Sequence, residues 1–164
     1  MAKTLTKSPD ADLYETDYYR WLEEQAELLR EGRIEDIDVA SLIEEFEELA
    51  VGERATVESH AETVIEHLLN LEHSPAERPR RGWRLTVARH RGRLAKRLTA
   101  SLRNRLQQSL EGVYRDGRRA AVIGLEVDQV RAEALPVQSP YALEQILDPD
   151  WLPKNVQGIK DPEA

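Results

Sequence analysis

Residues 39–72, VASLIEEFEELAVGERATVESHAETVIEHLLNLE, decide the fold. Apolar side chains return at steps of three and four: Leu42, Phe46, Leu49, Val57, Val64, Leu68 and Leu71 fall on one stripe. Glu44, Glu48, Glu58, Glu62 and Glu66 take the opposite face. That period is helical, and only Gly52 interrupts it, so the stretch predicts a helix about 50 Å long at 1.5 Å per residue. A helix of this length with one apolar stripe belongs in a bundle or a long hairpin, with Gly52 the place where it kinks or splits.

The flanking sequence supplies partners of the same kind. A first helix is expected from Asp10 or Asp12 to about Arg30, stopping at Gly32, with Tyr14, Tyr18, Trp21, Leu22, Gln25, Leu28 and Leu29 on its inner side. Asp38 is a good N-cap for the long second helix. HSPAERPRRG, with two prolines and a glycine, is the main loop. A basic third helix follows over about Gly82–Thr99. A fourth starts near Ser101 and buries Leu102, Leu106, Leu110, Val113, Tyr114 and Ala121. Residues 125–138 show no clear pattern. In SPYALEQILDPDWLP, Ser139 caps, Pro140 opens and Asp148-Pro149 stops a short C-terminal helix. The expected organisation is a mobile arm over 1–10, one helical domain over 11–153 and a frayed tail over 154–164.

Composition narrows the function classes. The chain has 164 residues, 40% hydrophobic and 33% charged, with no cysteine. Disulfides, zinc knuckles, iron–sulfur clusters and thiol nucleophiles are therefore excluded. No stretch approaches the length of an apolar membrane span, and MAKTLTKSPD lacks the apolar core of an export signal, so a cytoplasmic location is expected. Charge lies in blocks: residues 1–77 carry −15, residues 78–119 carry +12 and residues 120–164 carry −5, for a net of −8.

YETDYYRWLEEQAELLREGRIEDIDVASLIEEFEEL, then HLLN, GWR and SPYALEQILDPDWLP, resembles the bacterial "domain of unknown function 29" family over about residues 13–153. The resemblance implies a small all-helical cytoplasmic protein and implies no activity. Two positions depart from the pattern: Gly82 stands where a serine often precedes the tryptophan, and Asn70 where a lysine is expected. A site depending on that lysine's charge does not carry over.

Three clusters could hold chemistry. Around Trp83, the basic helix sets Val87, His90, Leu94 and Leu98 on a narrow stripe. Arg80, Arg84 and Arg91 border one edge and Arg93 and Arg97 the other, where their stems cover apolar surface and their heads meet acidic neighbours. This predicts a helix–helix charge contact with the acidic half of the chain. Arg81, Arg89 and Lys96 face outward and are the candidates for nucleic acid, a reading the net charge disfavours. Next, Glu53, His60 and His67 recur at seven-residue intervals on the core-facing stripe. They are the candidate metal ligands, centred on His67 with Glu45 or Asp17 in support. Two histidines seven apart lie about 10.5 Å apart along the axis, too far to share one ion, so hydrogen-bonded core polars that set helix register are favoured. Finally, Tyr14, Asp17, Tyr18 and Trp21 could line a pocket, but aromatics at helical spacing more often build core. Glu44 and Glu45 point about 100° apart and make no catalytic dyad.

The expectation is thus an all-α bundle with a long acidic second helix, a basic third and a short last helix. It calls for no cofactor and leans away from an enzyme. A non-enzymatic interaction or accessory protein that self-associates is favoured. A nucleic-acid-associated regulator is the alternative, followed by a metal- or small-ligand-binding bundle.

Overall fold

The computed structural model describes residues 11–160, and the expected N-terminal arm and the last four residues lie outside that range. Six α-helices appear among the described residues, without a strand: α1 Ala11–Thr16, α2 Tyr18–Glu31, α3 Val39–His73, α4 Arg80–Arg97, α5 Ala100–Leu125 and α6 Leu143–Leu147. The chain is an all-α bundle. No described helix is long and apolar enough to cross a membrane. Contacts divide the chain into two compact units, Met1–Gly52 and Glu53–Ala164.

In the first unit, the expected single N-terminal helix is two. Asp17 leaves helical geometry (φ −147°, ψ 75°) and its carboxylate accepts from the Arg20 N–H, so it ends α1 and caps α2. A short acceptor side chain satisfies one of the free N–H groups at a helix start, which is why Asp serves there. Gly32 closes α2 in the left-handed region at φ 72°, as read from the sequence. Trp21 and Gln25 are buried, and Gln25 Oε1 accepts from the Asp38 N–H at 2.8 Å. Asp38 caps α3 through the Ser41 N–H and Oγ.

α3 runs unbroken through Gly52. One glycine costs about 1 kcal/mol against alanine in a helix interior, too little to break a helix with good formers on both sides. In the second unit, Val57, Ala61, Val64, Ile65, Leu68 and Leu69 of α3 join one core with Val87 and Leu94 of α4 and Leu106, Leu110, Val113, Tyr114, Ala121 and Leu125 of α5. Gly117 lets α5 approach α3 closely, since a Cβ there would lie 2.8 Å from the Glu62 carbonyl oxygen. Thr99, not Ser101, caps α5 by accepting from the Leu102 N–H.

Residues 126–137 form an irregular return with two 3₁₀ turns, Glu126–Asp128 and Ala132–Ala134. It is held by α5: Arg118 donates to the carbonyls of Ala132, Leu135 and Pro136, and the Tyr114 hydroxyl donates to Pro136 O at 2.6 Å. Ser139 does not cap the last helix. Its hydroxyl accepts from the Tyr141 N–H, tightening a bend, and α6 starts only at Leu143 with Gln145 Oε1 accepting from the Ala142 N–H. The tail, expected to fray from residue 154, bonds to the C-terminal end of α3. Asn155 Nδ2 donates to the carbonyls of Leu71 and Ser74, and the Val156 N–H donates to Glu72 O at 2.8 Å. The last carbonyls of a helix have no intrahelical donors, so a returning strand of chain finds acceptors there.

Candidate interaction surface

The arginines of α4 divide into two groups once their surroundings are known. Arg80 (1% exposed) and Arg91 (4% exposed) are core residues. Arg80 donates Nη1–H to Leu71 O at 2.9 Å. Arg91, expected to face the acidic helix, instead turns to the C-terminal segment. Its Nε donates to Ile146 O at 2.8 Å, Nη1 to Trp151 O at 2.8 Å and Nη2 to Gln145 O at 2.9 Å. The planar five-donor fork suits converging carbonyls, and the missing acceptors at the end of α6 supply them. Burial lowers the Arg91 pKa, against a raising influence from Asp148. Arg97 makes a charge contact with α3, its Nη1 lying 3.2 Å from Glu53 Oε1. Arg81, Arg89, Arg93 and Lys96 are exposed, and Arg84 is half-buried.

Of the heptad-spaced polar residues of α3, Glu53 and His60 meet α4, and His67 lies beside Asn70 of its own helix. Glu53 takes Arg97. His60 meets His90 edge-on, with ring centroids 5.0 Å apart. His67 Nδ1 lies 3.4 Å from Asn70 Nδ2. Burial first, then Arg93 and Arg97, lowers the His60 pKa; burial first, then His60, Arg93 and His67, lowers that of His90. Among the described residues no three His, Asp or Glu side chains are gathered so as to hold a metal ion. The carboxylates suggested in support are engaged elsewhere: Asp17 caps α2, and Glu45 accepts from the hydroxyls of Tyr14 and Tyr18. Tyr14 packs on Trp21 at 4.8 Å, and the hydrogen bond to Glu45 is the main cause of its pKa rising to about 12.

A polar cluster that the sequence reading passed over sits at the C-terminal end of α3. Glu72 accepts from the Tyr141 hydroxyl, and Ser74 donates to Asp128. Burial first and Glu72 second raise the Tyr141 pKa. The run HLLNLEHS was a possible signal, because five polar residues are interspersed there with three buried leucines. Its partners lie 54 and 69 residues away, which no periodicity reveals.

The feature least expected from the sequence is an uncovered face. Val39, Ile43, Phe46 and Ala50 share, within about 40°, one line along α3 with Val57, Ala61, Val64 and Leu68. From Val57 (1% exposed) onward that line is core. Before it, Phe46 is 62% exposed, and the neighbouring Leu49 64%. Both were expected to be buried. Within the second unit, α4 ends at Arg97, which grips Glu53, and α5 starts at Ala100. Within the first unit, α1 and α2 take another side of α3, where Ser41, Leu42 and Glu45 are half-buried.

The family model described as "Domain of unknown function DUF29" matches residues 13–152. The chain belongs to this family. The match spans all six helices except the first two residues of α1, so the uncovered line of α3 and the arginine-braced α6 segment both lie inside the family's domain. No curated protein and no solved structure matches the chain.

Proposed function

We propose that this chain is a non-enzymatic helical interaction protein that self-associates through the first half of α3. One observation carries the reading: the apolar line that forms the core beyond Glu53 continues, exposed, over Val39, Ile43 and Phe46, with Leu49 at its edge. Burying one such side chain contributes about 1.5–3 kcal/mol, and contiguous exposed apolar surface rimmed by charge marks association sites. Glu47, about 40° round the helix from Ile43, is the charged residue bordering that line. Sedimentation velocity over a concentration series tests it. The wild-type chain is expected to assemble, and F46S/L49S to stay monomeric with an unchanged helical circular-dichroism spectrum. A wild-type chain monomeric up to about 100 µM, where a dimer with a Kd of about 10 µM would be evident, overturns the reading.

A second reading draws on the outward face of α4, where Arg81, Arg89 and Lys96 are exposed. Such a face suits phosphate contacts, although the net charge of −8 opposes approach to a polyanion. Binding to duplex DNA or RNA that weakens steeply with salt and disappears in R89E/K96E would favour it.

A further inference from the structure

The uncovered line of α3 is acidic at its border, and that restricts what can cover it. Glu47 is exposed beside Ile43, about 40° away from it round the helix. Packing this face on the same face of a second copy brings glutamates against glutamates. The outward face of α4 has the opposite character. No Asp or Glu occurs between Arg78 and Leu110, and Arg81, Arg89 and Lys96 are exposed on α4 around Leu85, itself 50% exposed. Pairing two such faces sets arginine against arginine. Only the mixed pairing neutralises both, and like-charge juxtaposition is an effective way to exclude the other two.

Size and shape agree with the mixed pairing. The α3 face from Val39 to Ala50 is about 18 Å long and the α4 face from Arg81 to Lys96 about 24 Å, so one covers the other along its length. The α3 face presents large side chains, Ile43, Phe46 and Leu49. On α4, Ala88 and Gly92 leave space between the basic residues, and nothing lies within 4 Å of a Cβ built at Gly92. We infer that in the self-associated protein the exposed apolar line of α3 in one copy docks on the outward basic face of α4 in another, with Glu47 meeting Arg89 and Lys96. This inference rests on the self-association reading and specifies its contact. Apolar burial supplies the affinity; exposed ion pairs add little and select the pairing.

Charge reversal tests the contact in a way that separates it from the reading beneath it. Sedimentation velocity is run on wild type, E47K, R89E/K96E, an equimolar mixture of these two variants, and the chain carrying all three changes. Each charge-reversed variant alone is expected to self-associate at least about tenfold more weakly, and both the mixture and the combined variant to regain assembly. If wild type assembles while R89E/K96E assembles equally well, the α3–α4 contact is overturned and self-association stands. Failure of the mixture and of the combined variant to regain assembly also overturns the contact. A monomeric wild type overturns both. Because the chain has no cysteine, E47C and R89C provide a second measurement that leaves most of the charge intact. Mixed under mild oxidation, the two are expected to form the E47C–R89C heterodimer ahead of either homodimer, and a predominance of E47C homodimer would exclude the pairing.

Discussion

Arg91 shows how one side chain can change its meaning between sequence and structure. In the sequence it is one basic residue among many and suggests a partner with negative charge. In the fold it is buried and spends its donors on Gln145, Ile146 and Trp151 carbonyls, joining α4 to the segment around α6. Arg91→Met keeps volume but leaves three carbonyls without their donor. An unpaired buried acceptor costs about 1–3 kcal/mol, with partial relief where water reaches it, so the expected loss is about 3 kcal/mol by urea denaturation. Arg91→Lys restores one donor in place of a fork and should recover less than half of that loss. A Met variant as stable as wild type would show that the clamp contributes nothing.

At the scale of elements, two glycines separate local preference from packing. Gly52 lies within α3 and nothing lies within 4 Å of a Cβ built there. Gly52→Ala is therefore expected to raise stability by about 0.5–1 kcal/mol through helix propensity alone. Gly117 lies within α5, where the added Cβ would meet the Glu62 carbonyl oxygen at 2.8 Å and Ile65 Cγ2 at 3.0 Å. Backbone yields little, so Gly117→Ala should cost about 1–3 kcal/mol despite the same gain in propensity. Thermal melts of the two variants, shifted in opposite directions, check both; a stabilised Gly117→Ala would mean that α3 and α5 are not in such close contact.

Across the whole molecule, charge is arranged so that acidification weakens the second unit. Burial holds His60, His67, His73 and His90 below the ordinary imidazole range, and Arg93 adds to the effect at His60 and His90. With folded values depressed, the unfolded chain takes up more protons as pH falls through about 6.5. The stability contributed by the neutral rings is complete above that pH and declines as the medium moves toward the lower folded values. Glu62 and Glu66 act in the opposite direction, since burial raises their pKa above the ordinary value. They favour the folded state as they protonate, mainly nearer pH 4.5. Between about pH 7.5 and 5.5 the histidines should dominate, lowering Tm. The His60→Phe, His90→Phe double variant should lose less Tm over this range than wild type. Equal losses would remove the ring pair as a cause.

Much of this was written in local sequence. The 3.6-residue period predicts α3, α4 and α5; Asp38 and Gly32 mark helix ends; the DUF29 pattern in YETDYYRWLEEQ, HLLN and SPYALEQILDPDWLP identifies the family. These features depend on neighbours three or four residues apart or on short ordered motifs, so no tertiary knowledge is needed to read them. Tertiary structure alone decided the rest. The periodicity that marks Phe46 and Val57 is the same, yet one is exposed and the other core, because burial depends on which elements pack on each stretch of the helix and not on its period. Likewise Arg81 and Arg91 are alike in composition, and only the return of residues 145–151 makes one of them a buried clamp. Periodicity specifies which face of a helix is apolar. Whether that face is covered is a matter of length and topology, set by residues far away in the chain.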